Sequence, residues 1–219
     1  VGHPLANEFD DLDNRQLVRE SLGLMKEGTV LAILPGSRMS EVRALAGIFW
    51  QTAQIFQQNH PDTEFLVPAV DRPIFEYLTK QLQDFPKLKV RLLNGKSREA
   101  ILASNLVLLA SGTATLEAAL MLRPMVVAYK MAPISWAIVS RMASARFASL
   151  PNILAKKRVV PEYLQAEVRA EVLAEALVDI VDAKEKDAQI EFFLQLKDML
   201  RRDYSQLSVE AIEEMLVYK

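Results

Sequence analysis

The first group of residues that could do chemistry is a short glycine loop near the start of the chain. Gly36, Ser37 and Arg38 follow a run of apolar residues and precede a helical pattern that contains Glu41. A glycine turn that opens a helix offers backbone N–H groups and the positive end of the helix dipole to an anion, and an arginine fork matches phosphate oxygens. The loop therefore fits a phosphate site, although a tight turn with a surface arginine fits the same residues equally well.

A second glycine loop repeats this arrangement with hydroxyl side chains. Ser111, Gly112 and Thr113 again lie between an apolar run and a helical pattern, and Glu117 falls about one turn into that helix. Amide and hydroxyl groups here could bind a diphosphate, and the carboxylate could accept hydrogen bonds from two vicinal ribose hydroxyls. The alternative is a helix capped by serine or threonine. Because two such loops can converge on one ligand, we favour a binding site.

The sequence also excludes several classes of protein. Neither loop is a Walker A motif, because no Gly-Lys-Ser/Thr follows, and neither is the GxGxxG motif of dinucleotide-binding dehydrogenases. The chain has no Cys and only two His, so we expect no metal site. The formal net charge of -2 provides no basic field, and we expect no nucleic-acid partner.

Both loops are positioned by an alternation of apolar runs and helical patterns. Short apolar runs predict strands at 29–34, 64–67, 88–93, 106–110 and 125–129. Patterns with one apolar face predict helices at 40–59, 72–83, 97–103 and 113–122. This repetition predicts an α/β fold with a doubly wound parallel sheet, Rossmann-like, and helices on both faces. Both glycine loops then lie at the carboxyl edge of the sheet, where ligands bind in such folds.

The end of the chain changes character, because helical patterns follow one another without a strand. They lie at 167–181, 186–202 and 208–218. We therefore predict two units, a nucleotide-binding domain over 1–165 and a C-terminal helical extension over 166–219.

Two further segments leave alternatives open. The segment 133–142 contains Trp136 and is flanked by arginines, so it could rest on a membrane surface, or pack in the core or against a partner domain. Asn152, in a Ser-Leu-Pro-Asn sequence, could read a base edge or cap a helix. The residues alone do not choose in either case.

Several blocks of the chain, taken in order, resemble the lipid-A-disaccharide synthases, which are glycosyltransferases with two Rossmann domains, the GT-B type. The matching blocks are 1–5, 34–38 with 41–42, 110–117, 124–131 and 149–154. The resemblance covers most of residues 1–165 and corresponds to the C-terminal, donor-binding half of the family. The opening Val-Gly-His-Pro-Leu reads like the middle of a protein, so we expect a fragment, with the preceding half missing.

The resemblance implies a reaction. UDP-2,3-diacylglucosamine and 2,3-diacylglucosamine 1-phosphate would be joined by a β-1′,6 linkage with release of UDP and inversion at the anomeric carbon. No metal or cofactor would take part. The protein would work as a peripheral protein at the cytoplasmic face of the inner membrane of Gram-negative bacteria. The catalytic residues stay unknown, because the expected base belongs to the missing N-terminal half, and this half alone is expected to be inactive.

The resemblance also assigns roles to residues around the two loops. Arg38 and the backbone of Ser111, Gly112 and Thr113 would hold the diphosphate, and Glu117 would hold the ribose. Ser37 and Asn152 would help to define the nucleotide pocket. Tyr129, Lys130 and Met131 would border the donor sugar.

Partners follow from the same resemblance. These are the UDP-sugar donor, the missing N-terminal domain, the inner-membrane surface, and a second copy that exchanges C-terminal helices. Two other functions stay open. One is a related GT-B enzyme that epimerises UDP-N-acetylglucosamine, and the other is a membrane-associated module without enzymatic activity that depends on the Trp136 segment.

Overall fold

The computed structural model describes residues 5–8, 15–131, 147–182 and 184–201 of the 219-residue chain. Of the segment 1–5, which we interpreted above, only Leu5 is among the described residues. The Trp136 segment and the last helical pattern, 208–218, lie outside the described residues.

A parallel sheet forms the centre of the described structure. Its strands are β1 (Val30–Leu34), β2 (Glu64–Ala69), β3 (Val90–Asn94), β4 (Leu106–Ala110), β5 (Met125–Tyr129) and β6 (Glu162–Leu164). Their order in the sheet is β3-β2-β1-β4-β5-β6, and every neighbouring pair is parallel. The expected doubly wound α/β fold is confirmed, since the strand order runs outward in both directions from the centre.

The strand β6 was not predicted from the sequence. It has three residues, and its register places Glu162 beside Val127 and Leu164 beside Tyr129. A strand this short carries no readable alternation of apolar and polar residues, so only pairing with β5 defines it.

Helices connect the strands and continue after the sheet. They are α1 (Leu5–Glu8), α2 (Arg15–Ser21), α3 (Met39–Asn59), α4 (Arg72–Leu82), α5 (Ser97–Ala103), α6 (Thr113–Leu120), α7 (Leu150–Ala155), α8 (Ala170–Asp182) and α9 (Lys184–Leu200). The predicted helices between strands are found within a few residues of their expected ends. Residues 150–154 form most of helix α7, and Ser149 is its N-cap residue.

The core consists of two apolar layers, one on each face of the sheet. Along β1, Leu31 and Ile33 face the layer formed with α3, α4 and α8, whereas Val30, Ala32 and Leu34 face the layer formed with α5, α6 and α9. All five residues of β1 are buried. This explains why the strand reads as an unbroken apolar run, because a central parallel strand is covered on both faces.

The last two described helices complete these layers. Leu173 and Leu177 of α8 are buried against α3, and Phe193 and Leu196 of α9 are buried on the opposite face, where α9 packs on α6. These contacts tie both helices to the sheet. The division into units at residue 165 stays a prediction.

Candidate functional site

A cleft of the described structure lies where the strand order reverses. In this sheet β1 and β4 are neighbours, but the chain continues from β1 toward one edge of the sheet and from β4 toward the other. Ligands of open α/β folds bind outside the carboxyl ends of such strands. The cleft has a volume of about 560 Å³ and is lined by the ends of β1, β2 and β4 and by the loops that follow them. The structure brings together Ser37, Arg38, Ser111, Gly112, Thr113 and Glu117 on this cleft.

The first loop does not offer two of the amide groups that the sequence led us to expect to be free. The carboxylate of Glu41 folds back over it, and its Oε2 accepts hydrogen bonds from the backbone N–H of Ser37 at 3.1 Å and of Arg38 at 3.3 Å. A glutamate at the third helical position commonly reaches back to the N-cap amide in this way. The expectation is therefore corrected for these two amides, because Glu41, in the first turn of α3, already accepts their hydrogen bonds.

Gly36 is required by this arrangement. Its φ angle is +129°, a backbone conformation that L side chains rarely adopt. A Cβ atom at this position would lie 2.6 Å from both Cβ and Oε2 of Glu41. The glycine therefore gives the Glu41 side chain room to fold over the loop.

Arg38 remains available at the cleft. Its side chain is 80% exposed, and its Nη1 donates to Oε1 of Glu41 at 3.2 Å. A guanidinium has five N–H donors, so this one contact leaves most of them free for a ligand. The first loop thus presents a side chain and not its Ser37 and Arg38 amides.

In the described structure the second loop leaves its N-cap amide unpaired, whereas Glu41 accepts a hydrogen bond from the N-cap amide of the first loop. Within the described part of the chain, the backbone N–H groups of Gly112, Thr113 and Ala114 have no hydrogen-bond acceptor. Gly112 is the N-cap of α6, and no side chain caps the helix there. Unpaired amides at a helix N-terminus attract anions, because the helix dipole adds to their partial charge.

The hydroxyls of the second loop have different tasks. Ser111 Oγ donates to the carbonyl of Ala148 at 2.7 Å, which fixes the loop to the segment before α7. Thr115 Oγ1 donates to the carbonyl of Gly112 at 2.7 Å. Thr113 is exposed on the cleft. Two of these hydroxyls therefore hold the loop in shape, while Thr113 faces the space where a ligand would bind.

Glu117 lies at the cleft with its carboxylate oriented by an arginine. Its side chain is 17% exposed, and Oε1 accepts a hydrogen bond from Nε of Arg98 at 3.3 Å. Arg98 belongs to the first turn of α5, next to Ser97, which also lines the cleft. A carboxylate held in this way keeps acceptor capacity for the hydroxyls of a sugar.

The structure does not bring Asn152 to the cleft. Its side chain is fully buried, its Oδ1 accepts from the backbone N–H of Val159 and Val160, and its Nδ2 donates to the carbonyl of Val160 and to Glu162. These bonds tie α7 to the segment that leads into β6. All of its hydrogen-bonding groups are therefore used inside the protein, which explains why it cannot contact a nucleotide in this arrangement.

Glu162 completes that buried network. Its two carboxylate oxygens accept from the backbone N–H of Ala148, at 2.7 Å, and of Ser149, at 2.8 Å. The carbonyl of Ala148 also accepts the hydrogen bond of Ser111. Glu162 therefore holds in place the backbone segment to which the second loop is bonded. No sequence pattern indicates this role, since it depends on the unpredicted strand β6.

Tyr129 ends β5 at the same edge of the sheet but does not line the cleft, and neither do Lys130 and Met131. Two segments that were not expected at the site do line it, namely Pro68–Val70 at the end of β2 and the Gly95 and Ser97 positions after β3. The glycine directly after a predicted strand is the signal that could have identified the second of these.

The opposite edge of the sheet carries a different kind of polar group. Arg19 is buried, and its guanidinium donates to the carbonyl of Ala103 and to Oδ1 of Asn105. Burial, together with the charges of Arg15 and Arg19, lowers the pKa of Arg123 to about 10. Arg123 precedes β5, so this arginine group lies at the amino edge, away from the cleft.

The described residues form no metal cluster and no helix that could span a membrane. Over residues 5–8, 15–131, 147–182 and 184–201, no group of three or more His, Cys, Asp or Glu side chains could hold a metal ion. In the same ranges, no helix is both long and apolar enough to cross a bilayer.

Comparison with solved structures shows the fold that surrounds this cleft. WaaG, a glycosyltransferase involved in lipopolysaccharide biosynthesis, superposes with a TM-score of 0.63 at 17% identity, over 95% of this chain and 53% of WaaG. A UDP-GlcNAc 2-epimerase from Neisseria meningitidis bound to UDP-GlcNAc gives a TM-score of 0.55 at 13% identity, over 85% of this chain and 46% of that chain. At these identities the likeness shows a shared α/β fold alone.

Sequence comparison identifies closer relatives. The sequence model for lipid-A-disaccharide synthetase matches residues 1–214. The lipid-A-disaccharide synthase of Xanthomonas campestris pv. campestris (strain 8004) is 41% identical over 224 residues, which cover 100% of this chain and 51% of that protein. The synthase of Cellvibrio japonicus (strain Ueda107) is 38% identical over 217 residues, with 99% of this chain and 56% of that protein covered.

The chain spans about half the length of these curated relatives. The family match nevertheless extends along almost all of the chain, and the glycine loops of the cleft lie within it. The chain therefore belongs to the lipid-A-disaccharide synthetase family.

Proposed function

We propose that this chain is the donor-binding half of a lipid-A-disaccharide synthase and that it binds the UDP part of a UDP-sugar in the cleft. The observation that carries the proposal is the meeting of three kinds of group at the strand-order reversal. These are the unpaired amides at the start of α6, the exposed guanidinium of Arg38, and the carboxylate of Glu117. Membership of the family supports the proposal that this nucleotide is UDP.

The groups of the cleft suit the departure of UDP. In the proposed reaction, a hydroxyl of 2,3-diacylglucosamine 1-phosphate attacks the anomeric carbon of UDP-2,3-diacylglucosamine with inversion. The bond between that carbon and the phosphate oxygen breaks, and UDP leaves with the bonding electron pair. The amides of α6 and Arg38 would stabilise the charge that develops on the diphosphate.

The hydroxyl proton needs a base, which we assign to the N-terminal half of the enzyme. We accordingly propose that this chain acts together with that half and has no transferase activity alone. The reaction as proposed uses neither a metal nor another cofactor. Association with the cytoplasmic side of the inner membrane and pairing with a second copy through C-terminal helices belong to the same proposal.

The two other functions have less support. Epimerisation of UDP-N-acetylglucosamine is consistent with the shared fold, but the family match favours a disaccharide synthase. A purely membrane-associated module depends on the Trp136 segment, which lies outside the described residues.

A thermal-shift titration with UDP tests the proposal. We expect UDP at a hundred times its Kd to raise the Tm by about 5 °C, because the ligand binds only the folded state. Arg38→Ala and Glu117→Ala should each reduce the shift. Arg43→Ala, an exposed arginine of α3 that does not line the cleft, should leave it unchanged. Absence of any shift at millimolar UDP in the wild-type chain would contradict the proposal.

A further inference from the structure

Glu41 is an acid in a cleft that we expect to bind an anion, and the proposed function does not explain it. Glu41 lines the cleft beside Arg38, and its side chain is 19% exposed. A carboxylate close to a diphosphate would repel it unless its own charge were balanced. Here Oε2 receives two backbone N–H groups and Oε1 receives the Arg38 guanidinium, so both oxygens are balanced by donors.

Ordinary helix capping accounts for only part of this contact. A glutamate at the third helical position needs just the amide of the N-cap residue, which here is Arg38. Glu41 also accepts hydrogen bonds from the amide of Ser37 and from the guanidinium of Arg38. In addition, the loop has a glycine at +129° where any Cβ would collide with this side chain. The loop is thus built around Glu41.

We propose that Glu41 is a positioning residue that holds the Arg38 guanidinium at the cleft for the diphosphate of the nucleotide sugar and closes the Ser37 and Arg38 amides to that ligand. This inference rests on the proposed function. It assigns the two loops different tasks, since the diphosphate meets the backbone amides of α6 but only the side chain of the first loop.

The physical benefit is preorganisation. An exposed arginine loses rotamer freedom when a ligand fixes it, which weakens binding. Glu41 holds one edge of the guanidinium before the ligand arrives, and the remaining N–H donors stay free to bind phosphate oxygens. An exposed ion pair contributes little to folding stability. The effect of Glu41 on Arg38 should therefore appear in ligand binding much more than in stability.

A double-mutant cycle measured by calorimetry tests this role. The four proteins are wild type, Glu41→Gln, Arg38→Ala and the double variant, each titrated with UDP and with uridine. Glutamine keeps the shape of the side chain and can still accept an amide hydrogen bond, but it loses the charge that holds the guanidinium. The matched control is Glu20→Gln, which removes the acid of another exposed 3.2 Å ion pair, formed between Glu20 of α2 and Lys26.

We expect the Kd for UDP to rise about fivefold in Glu41→Gln and about tenfold in Arg38→Ala, sizes typical of charge-assisted hydrogen bonds. The double variant should bind UDP no more weakly than Arg38→Ala. The affinity for uridine, which has no phosphate, should be the same in all four proteins. Glu20→Gln should match the wild type throughout.

Three results would overturn the role of Glu41. Tighter UDP binding by Glu41→Gln would make Glu41 a competing anion. A full additional loss in the double variant would show that it acts without Arg38. An equal loss for uridine would reduce Glu41 to a structural cap. If Glu41→Gln failed to fold, Arg38→Lys would replace it in the comparison. That variant keeps the charge but has no fork to bridge Glu41 and a phosphate, so UDP affinity matching the wild type would also overturn the role.

The design separates two failures. A wild-type chain that gives no heat with UDP removes the proposed function and this role with it. A wild-type chain that binds UDP, but whose cycle shows no coupling between the two residues, removes the role of Glu41 alone.

Discussion

The two glycine loops of the cleft look alike in sequence and differ in structure. Each follows a central strand, contains a glycine and opens a helix. In the first loop Glu41 occupies the amides of Ser37 and Arg38, whereas in the second loop the amides at the start of α6 have no acceptor within the described residues. A strand, a glycine and a helix therefore do not by themselves make an anion site. What decides is whether a neighbouring side chain already occupies the amide groups.

The glycines themselves should show the largest difference between the loops. Gly36→Ala should lower the free energy of unfolding by about 2 kcal/mol, because of its positive φ and the collision with Glu41. Gly112→Ala should change it by less than about 0.5 kcal/mol, since Gly112 has an extended φ and no atom within 4 Å of an added Cβ. Urea denaturation measures both values. Equal losses would show that the loops are not built differently.

Removal of a single amide at each loop should show the next largest effect, this time on binding. Proline is favoured at the first helical position, and both N-cap residues, Arg38 and Gly112, have the extended backbone that precedes proline. Thr113→Pro should raise the Kd for UDP about twentyfold, because it deletes one of the unpaired N–H groups of α6.

The same change in the first loop provides the control. Met39→Pro should leave the Kd for UDP within about twofold, because Met39, unlike Thr113, does not line the cleft. A lower Tm is expected, since Met39 packs against the core. Calorimetric titration of both proline variants decides the matter. A similar loss of UDP affinity in the two would contradict the division of tasks between the loops.

The smallest expected effect concerns salt. Arg38 is largely exposed, so raising the ionic strength from about 0.1 to 1 M should weaken its attraction for a phosphate. We expect the Kd of wild type for UDP to rise about threefold over this range and that of Arg38→Ala to rise less. Titrations at both salt concentrations test this. An identical salt dependence in the two proteins would place Arg38 away from the bound diphosphate.

The sequence was sufficient to predict the frame of the site. Central strands such as β1 and β4 are buried on both faces and therefore read as continuous apolar runs, and a glycine after each run marks the carboxyl edge. This is why Arg38, Gly112 and Glu117 were correctly expected at one edge of one sheet. Their roles as ligands of a nucleotide stay predictions.

Other features could not be read from the sequence, because they depend on contacts between distant segments. The closure of the first loop depends on a rotamer of Glu41 and on the backbone of Gly36. The burial of Asn152 depends on its bonds to Val159, Val160 and the short strand β6. A motif indicates which side chains are available, but packing decides which of them face the ligand.

The central claim is that a nucleotide diphosphate binds at the amides of α6, and a titration of the 15N-labelled chain with UDP tests it most directly. The account predicts that the amide resonances of Gly112, Thr113 and Ala114 move with increasing UDP, as new hydrogen bonds form, while those of Ser37 and Arg38 keep the shifts that their bonds to Glu41 give them. Movement of the Ser37 and Arg38 amides with none at Gly112, Thr113 and Ala114 would contradict it.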